Sequence, residues 1–205
     1  MQPALEVLRD NLRRAESLVG LYISLSSRTT VALDLSDLLR AAFVMAISAL
    51  DQFVHEVTRG GMLEIHEGTR ASTPAYERFG IPLAQLAAVS NPATARAALD
   101  LEIRQRHGHL SFQQPDKIAD ALRHVAPDGL WAAVALAMDR DAKGLKQELS
   151  LIVDRRNKIA HEADVDPSYP GQRWPISPED AQGACGLVGS IAENIFLYVC
   201  PLPPA

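Results

Sequence analysis

The stretch Val153–Glu162, VDRRNKIAHE, concentrates side chains that can act on a phosphodiester at the end of a predicted helix. Asn157 and His161 are four residues apart and share one helical face, whereas Arg156 lies five residues before His161 and does not. An imidazole can take a proton from a ribose 2′-hydroxyl, and a guanidinium can hold a phosphate and stabilise transition-state charge. These residue types suit cleavage of RNA without a metal ion. If two such helices pack antiparallel, the three side chains of both copies can converge, which requires a dimer.

The same residues also have a structural interpretation. Arginine and histidine are favoured in the last turn of a helix because they complement its dipole. The Arg-x4-His spacing recurs at Arg104–His109, and a looser version occurs at Arg59–His66. Spacing alone therefore favours a capped helix end, and catalysis needs support from position and context.

Neighbouring residues are candidates for supporting roles. Arg155 and Lys158 are candidate substrate-binding residues. The alternative for Arg155 is a solvated arginine, and the alternative for Lys158 is a surface ion pair with Asp154. Asp51 and Glu56 lie on a helix expected to flank the motif helix, where either can orient the arginine or form a surface salt bridge. The chain shows no glycine-rich phosphate loop, no Ser-His-Asp pattern and no zinc-ligand spacing. We therefore expect neither a cofactor nor a metal.

The elements that must position these residues are predicted to be helices throughout, because no alternating strand pattern of any length occurs. Long helices are predicted from about Pro3 to Ser26, from Ser36 as N-cap toward Glu67, from about Ala142 to His161, and from Ser177 as N-cap to near Tyr198. Short helices are expected at PDKIADALRHV and DGLWAAVALAMD. The inner stripe of the motif helix is predicted to contain Leu145, Leu149, Ile152, Val153 and Arg156.

The fold class predicted is all-α, a bundle of N- and C-terminal helix pairs in one domain over residues 1–200. Residues 69–115, punctuated by prolines, form a helical insertion packed across the bundle, and residues 201–205 are predicted to be a frayed tail. The net charge of −5 means that a polyanion would have to meet a local positive patch. We predict a cytoplasmic protein with no membrane contact. The sequence has two cysteines, a charged N-terminal stretch and no apolar run of about 18 residues.

Three stretches, in this order and context, resemble a known family. RRNKIAHEADVDP, on a late amphipathic helix, resembles the signature of HEPN domains, whose Arg-polar-x-x-x-His variant is matched by Arg156, Asn157 and His161. Two further stretches are similar to the RiboL-PSP-HEPN branch: LRAAFVMAISALDQFVHEV, and FQQPDKIADALRHV followed by GLWAAVALA. The resemblance covers about Ser36 to Tyr198.

The resemblance implies a HEPN-like bundle and a metal-independent endoribonuclease that acts as a homodimer with a composite site. Its RNA products would end in 2′,3′-cyclic phosphate, and it would serve as a toxin or defence effector, held in check by an antitoxin or another regulatory protein. His161 would be the general base or acid, Arg156 the phosphate clamp and Asn157 a positioning group. The alternative is a non-catalytic HEPN-like module that binds RNA, nucleotide or protein. A third interpretation is a structural dimer in which these residues only cap helices.

Overall fold

The computed structural model describes residues 1–30, 33–169 and 171–200, and the predicted all-α class is confirmed there. Across these ranges the single strand-like feature is an isolated antiparallel bridge between Val165 and Arg173. The predicted tail at 201–205 lies outside the described residues. The helices are α1 Gln2–Ser26, α2 Ser36–His66, α3 Pro74–Glu77, α4 Leu83–Ser90, α5 Ala95–His107, α6 Pro115–Leu122, α7 Leu130–Ala137, α8 Ala142–His161 and α9 Pro178–Val199.

Helix α2 is the central element of the bundle and packs against α1, α5, α6, α8 and α9. Its sequence is apolar on nearly every side, which is the pattern of a helix with neighbours all round. Ala46, Ile47, Leu50, Val54 and Val57 have no exposed surface. The motif helix α8 is therefore fixed against the most deeply buried helix of the protein.

The length and hydropathy of α2 are also those of a helix that can cross a membrane. However, 56% of its most apolar window is buried inside the protein. Packing against the neighbouring helices accounts for that burial, as in the core helix of a bundle. The absence of a membrane and the cytoplasmic location stay predictions.

The insertion contributes to the common core through α5. Leu99 and Ile103 of this helix belong to one hydrophobic cluster with side chains of α1, α2, α8 and α9. The predicted helical segment across the bundle is thus present. Its shorter helices, α3 and α4, have no buried residue of their own.

Helix ends show where capping signals in the sequence are reliable. Ser177 caps α9 in a capping box with Asp180, as predicted. The prediction of Ser36 as the N-cap of α2 was wrong, because Leu35 occupies that position. The Ser36 hydroxyl instead accepts a hydrogen bond of 2.6 Å from Nη1 of Arg40. The backbone N–H of Ser36 donates to the Asp34 carboxylate at 2.8 Å, so a residue before the predicted cap accepts from the start of α2.

Candidate phosphodiester-binding site on the motif helix

Arg156 lies on the inward face of α8, where the predicted inner stripe places it. Leu145, Leu149 and Val153 precede it at spacings of four, four and three residues and are buried. The Arg156 side chain is partly buried, and its Nε is enclosed without a hydrogen-bond partner among the described residues. A buried guanidinium N–H without an acceptor is costly. The arginine therefore retains an unused donor on the inner side of the motif helix.

Asn157 holds the outer end of the Arg156 guanidinium. Nη1 of Arg156 donates a hydrogen bond of 2.9 Å to the Asn157 side-chain oxygen Oδ1. The amide nitrogen of Asn157 is a further donor beside the guanidinium. Donors of both kinds suit a phosphate oxygen as acceptor.

The carboxylates of α2 do not orient Arg156, which corrects the prediction made for Asp51 and Glu56. Asp51 accepts a hydrogen bond of 2.6 Å from the backbone N–H of Phe112. Glu56 accepts bonds from the guanidinium of Arg59. Both acids are committed to α2 and the insertion, so the charge of Arg156 is not cancelled by either of them.

His161 lies in the last turn of α8 and is exposed. At about 100° per residue it lies about 140° around the helix from Arg156 and about 40° from Asn157. The rise between Arg156 and His161 is about 7.5 Å. One chain therefore places the imidazole and the guanidinium on different sides of α8, as the spacing predicted.

Arg155, the neighbouring arginine, turns away from the motif and joins a buried ion cluster. Its Nη2 donates to Oδ2 of Asp164 at 2.9 Å and to the carbonyl oxygens of Trp174 and Pro175. Arg40 of α2 donates from Nε to the same Asp164 oxygen at 2.7 Å. Burial is the main cause that lowers the pKa of Arg155, and the Asp164 charge acts in the opposite direction.

Asp164 is the centre of this cluster and has no exposed surface. Its φ of +57° follows a φ of +51° at Ala163, so two non-glycine residues in the left-handed region turn the chain back immediately after α8. The cluster ties the loop between α8 and α9 to both α8 and α2. Arg155 therefore makes structural contacts in the folded chain, and the substrate contact predicted for it stays a prediction.

Lys158 lies beside the motif and contacts an aromatic ring rather than an acid. Its Nζ is 5.4 Å from the ring centroid of Trp174, a cation–π contact of about 0.5–1 kcal/mol at an exposed site. The predicted pair between Asp154 and Lys158 is not formed, because Asp154 accepts a bond of 3.2 Å from Gln114. So weak a contact leaves the lysine able to reach a phosphate.

A groove of about 600 Å³ lies between the first half of α8 and the start of α6, and no motif residue lines it. Ser150, in its wall, is seven residues before Asn157 and therefore on the same helical face. Lys143 and Lys146 line the groove from the same helix, opposite the start of α6. Asp116 lines the same groove and lies 3.7 Å from the Lys146 ammonium, so the charges of the groove are mixed.

The second arginine–histidine spacing, at Arg104–His109, does not form a comparable site. Arg104 lies within salt-bridge distance of Asp100, and Arg106 pairs with Glu102 at 2.6 Å. His107 is buried. Within the described ranges no group of three or more His, Cys, Asp or Glu side chains is placed to hold a metal ion.

Comparison of the chain with protein-family models, with curated proteins and with solved structures found no match. The relation to HEPN domains therefore stays a resemblance of sequence motifs.

Proposed function

We propose that this protein is a metal-independent endoribonuclease of the HEPN type that acts as a homodimer. The observation that carries the proposal is the end of α8. There a partly buried arginine with an unused N–H donates to Asn157, and an exposed histidine follows four residues after the asparagine. An imidazole can supply acid–base catalysis, and a guanidinium and an amide can stabilise and hold a phosphate during transesterification of RNA.

In this mechanism one imidazole takes the proton of a ribose 2′-hydroxyl, and the 2′-oxygen attacks the adjacent phosphorus. Arg156 stabilises the added charge on the phosphoryl oxygens, and the Asn157 amide holds the phosphate in place. The bond to the 5′-oxygen breaks and that oxygen receives a proton. The products are a 2′,3′-cyclic phosphate and a 5′-hydroxyl, and the resemblance to HEPN domains implies a role as a toxin or defence effector.

The dimer must meet a definite geometric condition. In an antiparallel helix pair related by a two-fold axis, Arg156 is level with the partner's His161 only when the axis passes level with residues 158–159. The histidine of one copy then approaches the guanidinium of the other from the Asn157 side. This geometry forms two equivalent Arg–His pairs around one axis.

The experiment is an incubation of purified protein with total cellular RNA in EDTA, comparing the wild type with His161→Ala. A general acid–base residue contributes about 10²–10⁴-fold in rate, so the variant should cut at least about 100-fold more slowly. His109→Ala is the matched control, because His109 is an exposed histidine outside the motif. Cleavage at the wild-type rate by His161→Ala would contradict the proposal.

The alternative function is a non-catalytic module that binds RNA, nucleotide or a protein partner. The separation of Arg156 and His161 around α8 favours it, because a single copy holds only part of the site. RNA binding that falls with salt, without products in EDTA and unaffected by His161→Ala, would support this alternative and reject the nuclease.

A further inference from the structure

The loop between α8 and α9 holds Trp174 in a fixed backbone position. The Trp174 N–H donates to the Asp164 carbonyl at 2.9 Å, and its own carbonyl accepts bonds from Arg40 at 2.9 Å and Arg155 at 3.2 Å. Both arginines belong to the buried Asp164 cluster. The most deeply buried charges of this region therefore fix the position of a single aromatic residue.

The indole ring itself does not serve the core. Trp174 is partly buried, yet it lies outside the hydrophobic cluster and the partly buried side chains packed against it. Trp131, in contrast, is buried and donates its indole N–H to the carbonyl of Pro115. The Trp174 indole N–H makes no such bond with any described residue. An indole with an unused N–H outside the core is suited to an interface, where tryptophan is enriched.

The ring lies next to the motif. Lys158 reaches the Trp174 ring and is three residues before His161, so the two side chains are neighbours on the helix surface. The charges of this surface are mixed: Lys158 is exposed, as are Asp154 and Glu162. An aromatic ring beside a mobile cation and a candidate catalytic imidazole fits a nucleotide, whose base stacks while its phosphate takes the cation.

We propose that Trp174 is the stacking platform for an unpaired nucleobase of single-stranded RNA beside the scissile phosphate, with Lys158 contacting the phosphate of that nucleotide. This inference rests on the proposed function and adds base recognition to it. Lys158 leaves the ring face when the base arrives. Because every base has a π-face, the contact selects unpaired RNA rather than one sequence.

The test measures binding of a fluorescein-labelled eight-nucleotide oligoadenylate to the His161→Ala protein, which leaves the RNA uncut. Adding Trp174→Leu should weaken binding roughly 5- to 100-fold, because stacking on one aromatic residue accounts for that range. Trp174→Phe, which keeps an aromatic face, should stay within about threefold. Tyr169→Leu is the matched control, because Tyr169 is a second aromatic residue of the same loop and is 60% exposed.

A second readout does not depend on a stable leucine variant. Subtracting the tryptophan fluorescence of the His161→Ala/Trp174→Phe protein from that of the His161→Ala protein gives the signal of Trp174. The oligoadenylate should quench this signal. RNA binding with unchanged Trp174 fluorescence and unchanged affinity in Trp174→Leu would overturn the stacking role and leave the ribonuclease proposal standing. Failure of every variant to bind RNA would overturn both.

Discussion

At the scale of single residues, the contrast between Arg155 and Arg156 decides what the motif can do. Arg156 continues the Leu145, Leu149 and Val153 spacing, so its inward position was predictable from helical periodicity. The contacts of Arg155 were not predictable, because they depend on Asp164 nine residues later. Asp164 reaches Arg155 through a turn in which Ala163 and Asp164 adopt positive φ. Positive φ is uncommon for residues other than glycine, so the sequence does not predict this turn.

We predict that Asp164→Asn destabilises the protein by about 3–5 kcal/mol, because it removes the buried carboxylate that Arg40 and the partly buried Arg155 share. Asparagine tolerates the left-handed conformation, so the change isolates the charge. The measurement is urea unfolding at neutral pH.

Asp166→Asn is the control for that prediction. Asp166 is also buried in this loop, but it accepts only a local bond of 2.8 Å from the Ser168 N–H. Its replacement should cost about 1 kcal/mol. Equal losses in the two variants would show that the ion cluster does not stabilise the loop.

At the scale of elements, helix periodicity and caps predicted α1, α8 and α9 to within about two residues of their observed bounds. The contacts of α5 were not predictable, since they join residues distant in sequence. His107 of α5 meets Phe79, Phe112 and His124, with ring centroids 5.6–5.8 Å apart. This aromatic and histidine cluster joins the insertion to the bundle.

His107 makes this junction sensitive to acid. Burial lowers the pKa of His107 from 6.5 to about 4, with smaller contributions from His124, His55 and His109. Its Nδ1 is enclosed without a hydrogen-bond partner among the described residues. Because the pKa in the folded state is below the unfolded value, the unfolded chain binds more protons at mildly acid pH. The stabilisation is therefore complete above about pH 6.5 and is lost as the pH falls through 4.

We predict that protonation of His107 lowers the wild-type free energy of unfolding by about 2–3 kcal/mol between pH 7 and pH 4. His107→Leu should remove that part of the pH dependence, whereas His109→Leu, at an exposed position, should retain it. Urea unfolding over this pH range measures both slopes. Equal slopes for wild type and His107→Leu would contradict the role of the buried imidazole.

At the scale of the whole molecule, the all-α class and the order of long helices followed from composition and periodicity, since α2 reads as a helix buried on several sides. The arrangement of a dimer could not be predicted from composition and periodicity, because one chain places Arg156 and His161 on different faces of α8. The composite site requires the axis of the dimer to lie level with residues 158–159. Two copies of Lys158 would then be close, whereas two copies of Leu151 would be about 22 Å apart along the helices.

We predict that Lys158→Cys dimers crosslink with a short bifunctional thiol reagent and that Leu151→Cys dimers do not. Lys158 and Leu151 are exposed and seven residues apart, so they share one face of α8. The wild type controls for Cys185, which is buried, and for Cys200. A monomer at micromolar concentration, or crosslinking through position 151 alone, would rule out the composite site.

The central claim is that the motif of α8 cleaves RNA through the 2′-hydroxyl, and mass spectrometry of the fragment ends tests it most directly. Wild-type protein in EDTA should produce fragments with 2′,3′-cyclic phosphate and 5′-hydroxyl ends, and Arg156→Ala and His161→Ala should not. Fragments that carry 5′-phosphate and 3′-hydroxyl ends, or cyclic phosphate produced equally by His161→Ala, would contradict the account.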